Sequence, residues 1–538
     1  MRRPLHPLLL VDVAMKATTP ASSLPSAQPA DDRIDRRKLL TFLILVFGMF
    51  MAILDIQIVS ASLSEIQAGI SASADEISWV QTSYLVAEVV MIPLTGFLAR
   101  ALSTRVMFTI SAAGFTLMSL LCGLAENIEQ MIVFRALQGF IGGAMIPTVF
   151  AAGFILFGKK RAFVMPVVGL IATLAPTIGP TVGGYLTEIA SWHWLFFINL
   201  IPGPLVAIGA WTLIDFDKAE PELLKTFDWP SLGALALFLA SLEYVLEEGA
   251  SKGWFDDGGI TTFALLAALG GLFFFWRTAT IQHPIVDLTA FRNRSFAAGS
   301  FLSVILGVLL FGMTYLYPVF LGRVRGYSAL MIGETMFVTG LAMMFTAVVL
   351  ARQAQKMDPR LVLFAGLTCL AMSTYEVSFI TRDWDFGELL FPQVLRGVGL
   401  MICMIPINNV ALGGLPQAQL KGAAGLFNLC RNLGGALGLA VINTLINHRT
   451  DLHLLRLHEV VNPANPRAAE TLAALAQRYS TMPDSQNAAL KTMASLVRSH
   501  ASVMAFADVF LVLCAMCVCA MPLVFLLSRP EASGGGAH

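Results

Sequence analysis

Few ionisable side chains interrupt the apolar stretches of this chain, and those few are of types that carry protons or form ion pairs. Asp55 stands in GMFMAILDIQIVSASLSEI (48–66), Glu88 in SYLVAEVVMIPLTGFL (83–98) and Arg135 in MIVFRALQGFIGGAMIPTVF (131–150). A guanidinium at the centre of a bilayer helix costs about 2.5–3.5 kcal/mol to insert. Arg135 therefore either reaches the interface along its own stem or has a task inside. Asp55 and Arg135 each lie about five residues from the outer end of their stretches, roughly 7–8 Å below one surface. Opposite charges at one depth reduce each other's insertion cost by pairing. Glu88 lies near the middle of its stretch, where a carboxylate is expensive in its charged form. Such a group suits proton uptake and release; the competing role is a carboxyl that hydrogen-bonds two helices together. Glu243, Glu334, Glu376, Arg396, Arg431 and Asp508 form a second rank. Glu334, Arg396 and Asp508 recur at the outer-third depth, so a Glu334–Arg396 pair would mirror Asp55–Arg135.

These residues need a frame that crosses a membrane. Hydrophobic residues make up 56% of the 538-residue chain and charged residues 13%, against about 25% charged in ordinary soluble proteins; mean hydropathy is +0.73. Apolar runs close to 20 residues recur throughout, the length that crosses about 30 Å of hydrocarbon at 1.5 Å per residue. The expected fold is all-α and polytopic, with about 14 transmembrane helices: two six-helix bundles (40–214 and 296–527) and an inserted helix pair (230–278). A disordered tail (1–39), a short C-terminal tail (528–538) and a long outer loop (447–502) complete the division. Inside that loop, RAAETLAALAQRY and NAALKTMASLVRSH have helical apolar spacing. Lys and Arg crowd one side, in the N-terminal tail and at Arg100 and Arg105, Lys159, Lys160 and Arg161, Arg277, Arg292 and Arg294, and Lys421. The opposite short loops carry only Lys252, Arg323, Arg325 and Arg382. By the positive-inside rule both termini are cytoplasmic and the long loop is external. FRALQGFIGGAMIP (134–147) and LRGVGLMICMIP (395–406) occupy the fourth span of each six-helix set, which points to a transporter built from repeated halves.

Other classes find little support. The formal net charge is zero and no basic cluster with interleaved aromatics occurs, so no nucleic-acid partner is expected. All seven cysteines lie in apolar segments and read as small buried hydrophobes. The CxxC of Cys514 and Cys517 has no further ligands near it, and no metal or cofactor is expected. His448, His453 and His458 are five residues apart, which spreads them around a helix. No catalytic triad is visible, so an enzyme is not expected.

Two further stretches concern movement. APTIGPTVGGYL (175–186) sets Gly179, Gly183 and Gly184 on a small face that lets helices pack backbone to backbone. Pro176 and Pro180 each remove a backbone N–H and bend the span. The turn GFLARALSTR (96–105), with Gly96, Arg100 and Arg105, is short enough to lock the two halves at the inner side and part when they rock.

Together these stretches resemble the major facilitator superfamily, and more closely its fourteen-helix drug:proton antiporters of the EmrB/QacA type. The resemblance covers about residues 40 to 527. LDIQIVSASLSEI is similar to the first-helix signature, which carries an acidic residue at Asp55; RALQGFIGGAMIP is similar to the fourth-helix motif, whose arginine, Arg135, is implicated in proton transfer. APTIGPTVGG resembles the fifth-helix antiporter motif at Gly179, Pro180, Gly183 and Gly184, with Ala175 in place of its first glycine. WHWLFFINLIPG (192–203) resembles the aromatic entry to helix six. The loop between helices two and three departs from the family's G-x-L-A-D-R-x-G-R, because Arg100 stands where the aspartate belongs; a charge lock using that aspartate is absent. Gln57 stands where a threonine is common. The resemblance implies proton-coupled export of amphipathic or lipophilic small molecules from the bacterial inner membrane by alternating access. It also implies a periplasmic adaptor (a membrane fusion protein) as partner for the long outer loop. The alternatives are a dedicated exporter of a metabolite, siderophore or lipid precursor on the same fold and, more remotely, a membrane enzyme or sensor.

Overall fold

The computed structural model describes residues 35–73, 76–158, 161–225, 227–281, 284–353, 357–462, 464–480 and 484–526. The expected tails lie outside this range, except that the first helix starts at Arg36 and takes in the end of the N-terminal one. From Arg37 onward the chain forms one compact unit.

Among the described residues all regular structure is helical: α1 (Arg36–Ala61), α2 (Leu63–Gly69), α3 (Trp79–Ala101), α4 (Thr104–Gly123), α5 (Ile128–Gly142), α6 (Met145–Phe157), α7 (Arg161–Ile189), α8 (Trp194–Phe197), α9 (Pro202–Leu213), α10 (Glu222–Lys225), α11 (Trp229–Glu248), α12 (Gly258–Thr280), α13 (Arg294–Phe320), α14 (Ala329–Gln353), α15 (Pro359–Val377), α16 (Phe386–Gly413), α17 (Gln417–Val460), α18 (Pro466–Arg478) and α19 (Ser485–Ala520). Thirteen spans among these residues are long and apolar enough to cross a membrane; the bent pair Val167–Pro176 and Ile178–Ile189 within α7 makes a fourteenth. In a bilayer core every backbone amide must be satisfied inside the segment, which is why uninterrupted apolar sequence becomes helix here. Local chemistry sets the ends. Asn127 accepts a 2.9 Å hydrogen bond from the Gln130 amide at the start of α5. Asp385 and Glu388 form a reciprocal capping box at the start of α16. The bend of 41° in α7 falls at Pro176 and before Pro180, where the i→i−4 ladder loses donors.

The repeat expected from sequence is visible in the packing. α3 against α5, α4 against α5 and α4 against α9 recur as α14 against α16, α15 against α16 and α15 against α19. The halves meet where α7 packs on α14 and where α17 packs on α3 and α6. Small residues permit these approaches: Gly96 lies against the backbone of Gly422, Gly425 against the carbonyl of Ile92, and Gly333 against Thr181. The inserted pair is not peripheral, since α11 packs on α12, on α3 of the first half and on α17 of the second.

Residues 447–460 and 485–502, expected as part of a loop, are helical continuations of α17 and α19. At 44 residues, α17 is about 66 Å long, twice what the hydrocarbon needs. Asp508 of α19 joins the two long helices: His453 lies 2.8 Å and Arg449 3.7 Å from its carboxylate. Asp508, a second-rank candidate in the sequence, thus ties α17 to α19 through these two partners. The described residues hold no His/Cys/Asp/Glu cluster able to bind a metal ion.

Candidate proton-coupling site

The first half holds a buried polar network built on an ion pair. Arg135, at the middle of α5 and about two turns from either end, donates from Nη1 to Asp55 Oδ2 of α1 at 2.6 Å. The same nitrogen donates to Gln138 Oε1 at 2.8 Å, and Nε donates to the Val80 carbonyl at 3.2 Å. The other carboxylate oxygen of Asp55 accepts from Asn199 Nδ2 at 2.8 Å and from Gln138 Nε2 at 3.3 Å. Asn199 is held in turn by Ser119 Oγ at 3.0 Å, and Ser119 donates to the Phe196 carbonyl at 2.8 Å. Arg135 and Gln138 of α5 and Asn199, just before α9, thus bond the carboxylate directly, and α3 and α4 hold these donors in place. Arg135 is 0% and Asp55 1% exposed, which rules out snorkelling for the arginine. The guanidinium lies over the Tyr84 ring at 4.3 Å, a contact worth more when desolvated. A buried pair repays its desolvation only when the remaining donors and acceptors are used, and here all but Arg135 Nη2 and Tyr84 Oη are.

Glu88, four residues after Tyr84 on α3, is 4% exposed and has no hydrogen-bond partner among the described residues. Arg135 is the charged group that acts on it. An unpartnered buried carboxyl is costly whenever it ionises.

The counterpart in the second half differs from expectation. Arg396 of α16 is buried, but its partners are neutral: Thr314 Oγ1 at 2.7 Å, Gln393 Oε1 at 3.3 Å and the Tyr317 ring at 5.2 Å. Glu334 is exposed on α14. The expected Glu334–Arg396 pair does not form, because the helical phase turns Glu334 away from the bundle interior. Arg431 of α17 is likewise buried; it bonds Asn428, lies 4.9 Å from the Phe150 ring and leaves Nε and Nη1 unpartnered. Glu243 of α11 is 7% exposed and, like Glu88, has no hydrogen-bond partner among the described residues.

The antiporter-motif glycines pack α7 on α1. A Cβ on Gly183 would sit 2.9 Å from the Ile58 carbonyl oxygen, and Gly179 faces the Gln57 side chain. Gly184 and Pro180 are half-buried beside them. In the α3–α4 turn, Gly96 makes the close approach to α17, but the two arginines do not bridge the halves. Arg105 lies over Trp211 of its own half at 5.4 Å, and the Arg100 carbonyl accepts from the Glu220 amide. The bridge is instead Lys421 of α17. It donates to Asp217, after α9, and to the Ala99 carbonyl at 3.1 Å. Asp217 also accepts from the amide and hydroxyl of Thr104, at 2.9 and 2.7 Å. A carboxylate is thus present at this turn, supplied by Asp217 from a segment distant in sequence. At the same end of the molecule Arg277 of α12 grips Asp228, the residue before α11, through three bonds of 2.7–3.0 Å. These bonds hold the Asp228 carboxyl below the usual carboxylate range.

Sequence reasoning missed Gln138, Asn199, Lys421 and Asp217. The amide in FFINLIPG, an isolated polar residue in an apolar run, was the available signal for Asn199; Lys421 and Asp217 carry none, because they are remote in sequence.

Residues 45–439 match the family model described as Major Facilitator Superfamily. The chain belongs to that superfamily. It is a transporter of all-α fold, with two six-helix bundles and an inserted pair. It is 41% identical over 87% of its length, and 92% of the relative's, to the Colistin resistance protein EmrB of Acinetobacter baumannii. It is 30% identical over 91% of its length, and 96% of the relative's, to the Fatty acid resistance protein FarB of Neisseria gonorrhoeae. Identity to the Multidrug export protein EmrB of Escherichia coli K12 is 28%, over 91% of this chain and 96% of that one. These relatives are of the EmrB type expected from the sequence. The crystal structure of the human organic anion transporter MFSD10 shares the fold, with a TM-score of 0.56 at 13% identity, covering 91% of this chain and 100% of that one.

Proposed function

We propose that the protein exports amphipathic or lipophilic small molecules across a bacterial inner membrane in exchange for protons, by alternating access, with both termini cytoplasmic. The observation that carries this is the sealed Asp55–Arg135–Gln138–Asn199 network with the unpartnered Glu88 beside it. Protonation of Asp55 neutralises the partner of Arg135 and loosens the tie between α1 and α5. Glu88 takes or releases its proton without breaking a hydrogen bond. On this orientation the Lys421–Asp217 bridge closes the cytoplasmic end and must part for substrate to enter. An inward proton supplies about 2.3 kcal/mol per 100 mV and about 1.4 kcal/mol per pH unit, enough for a substrate gradient of a few hundredfold. The α17–α18–α19 arm projects beyond the spans and is the surface for a periplasmic adaptor.

The relatives' names, which include multidrug export and colistin resistance, support broad efflux. The alternative of a dedicated exporter has one observation in its favour. Arg396 and Arg431 are buried with no carboxylate partner among the described residues, a lining suited to an acidic substrate such as the fatty acids in one relative's name. The test is ethidium and deoxycholate efflux from vesicles under an imposed pH gradient, in wild type, Asp55→Asn and Glu88→Gln. Loss of gradient-driven efflux in the variants is expected; full coupling in both would refute the assignment.

A further inference from the structure

The inserted helix pair holds titratable groups where it packs on both halves, and their level can be read from one hydrogen bond. α3 and α11 run antiparallel, and Thr82 near the outer start of α3 donates to Glu248 near the end of α11 at 3.3 Å. Six residues further along α3 is Glu88; five residues back along α11 is Glu243. Each step is about 9 Å or slightly less at 1.5 Å per residue, so the two carboxyls lie at one level on packed helices. Trp79 also reaches along α11 to stack on Tyr244, with ring centroids 5.3 Å apart, a second tie between the two helices. Both carboxyls are more than nine-tenths buried, and neither has a hydrogen-bond partner among the described residues. Two carboxyl groups on packed helices within the spans, both turned from lipid, point to a role beyond packing.

We propose that Glu88 and Glu243 form a carboxyl pair that shares a proton, and that the inserted helix pair therefore belongs to the coupling machinery. Two carboxylates at one buried site cannot both ionise cheaply, so one keeps a proton while the other gives its own up. A proton passing from Glu243 to Glu88 leaves the first charged and the second neutral, with no other group consumed. The charged groups that act on the pair are Arg135 at Glu88 and Glu247 at Glu243, besides the two carboxyls themselves. Glu247 lies one helical turn from Glu243 toward the end of α11, next to Glu248, and Lys252 stands 4.0 Å from Glu248. This line of acids runs from the end of the helix pair to Glu88. The pair also touches the second half: Trp254 donates to Thr444 of α17 at 2.9 Å, and Asn447 donates to the Ala250 carbonyl at 3.4 Å. Glu243 thus sits on an element bound to both halves and Glu88 on the first-half helix packed against it, so rocking of one half against the other changes their surroundings.

The inference rests on the transport function proposed above, and the test separates the two. Purified full-length wild type, Glu243→Gln, Glu243→Asp and Glu88→Gln are reconstituted, and ethidium counterflow, which needs no net proton movement, is compared with protons moved per ethidium exported. Expected are intact counterflow in Glu243→Gln with the proton count reduced at least twofold and the pH profile displaced, and recovery of both in Glu243→Asp. Intact counterflow with an unchanged proton count and pH profile in Glu243→Gln overturns the pairing alone. Absence of counterflow in wild type, with deoxycholate as well as ethidium, overturns the transport function itself. Cysteines at positions 88 and 243 in a chain lacking its native cysteines should be joined by a short bis-maleimide; failure to join them overturns the pairing independently of activity.

Discussion

Replacing Asp55 by Asn should cost far more than the loss of one hydrogen bond, and the geometry says why. Oδ2 accepts from Arg135, while Oδ1 accepts from Asn199 and Gln138. An amide offers only one oxygen, so in either orientation its NH2 meets an N–H donor. Arg135, fully buried, also loses its counter-charge. Removing one member of a buried pair costs about 3–5 kcal/mol, a shift of roughly two to four powers of ten in an unfolding equilibrium. Arg135→Gln should cost a similar amount by stranding the carboxylate. The double variant Asp55→Asn, Arg135→Gln strands no charge, so its loss should fall short of the sum of the singles by about 2 kcal/mol or more. The assay is reversible unfolding in mixed micelles, followed by circular dichroism against rising sodium dodecyl sulfate. Single losses that add to within about 0.5 kcal/mol, the behaviour of independent sites, would refute the pairing argument.

Three other outcomes follow from particular contacts. Lys421→Ala removes the bridge to Asp217 and Ala99; a cysteine at Ala99 should then react with a soluble maleimide several-fold faster, and an unchanged rate would count against the bridge. Gly183→Ala places a methyl 2.9 Å from the Ile58 carbonyl oxygen, an overpacking cost of about 1–3 kcal/mol that should lower the unfolding midpoint in the same micelle assay. For Asp228, the Arg277 bonds depress the folded-state pKa, so their stabilisation is complete above about pH 4 and fades as pH falls through the folded value. Asp228→Asn should therefore melt lower than wild type at pH 7, with the gap closing under strongly acidic conditions; an equal gap at both would contradict this.

The frame was legible because hydropathy and length leave little choice: each apolar run near 20 residues became a helix, and the repeat in the fourth spans reappears in the packing of the two halves. The Asp55–Arg135 contact was legible for a related reason, since two opposite charges at one depth in lipid have few other ways to exist. What escaped depended on helical phase and distant contacts. Glu334 and Arg396 share a depth but not a face, so Arg396 settles for Thr314, Gln393 and Tyr317. Gln138 and Asn199 are uncharged and carry little signal in a sequence rich in isolated amides. The Lys421–Asp217 bridge joins segments about 200 residues apart, and only the fold brings them together. The helical arm was half legible: its apolar spacing showed, but not that α17 and α19 run through it without a break.

The central claim is that export is exchanged against protons held by buried carboxylates of the first half. Lightly buffered proteoliposomes containing the wild-type protein and an internal pH dye test it most directly. With a gradient of ethidium and no imposed pH difference, ethidium leaving through the transporter should draw protons the other way, and Glu88→Gln should abolish that pH change. Ethidium movement through the wild-type protein with no change in internal pH would contradict the account.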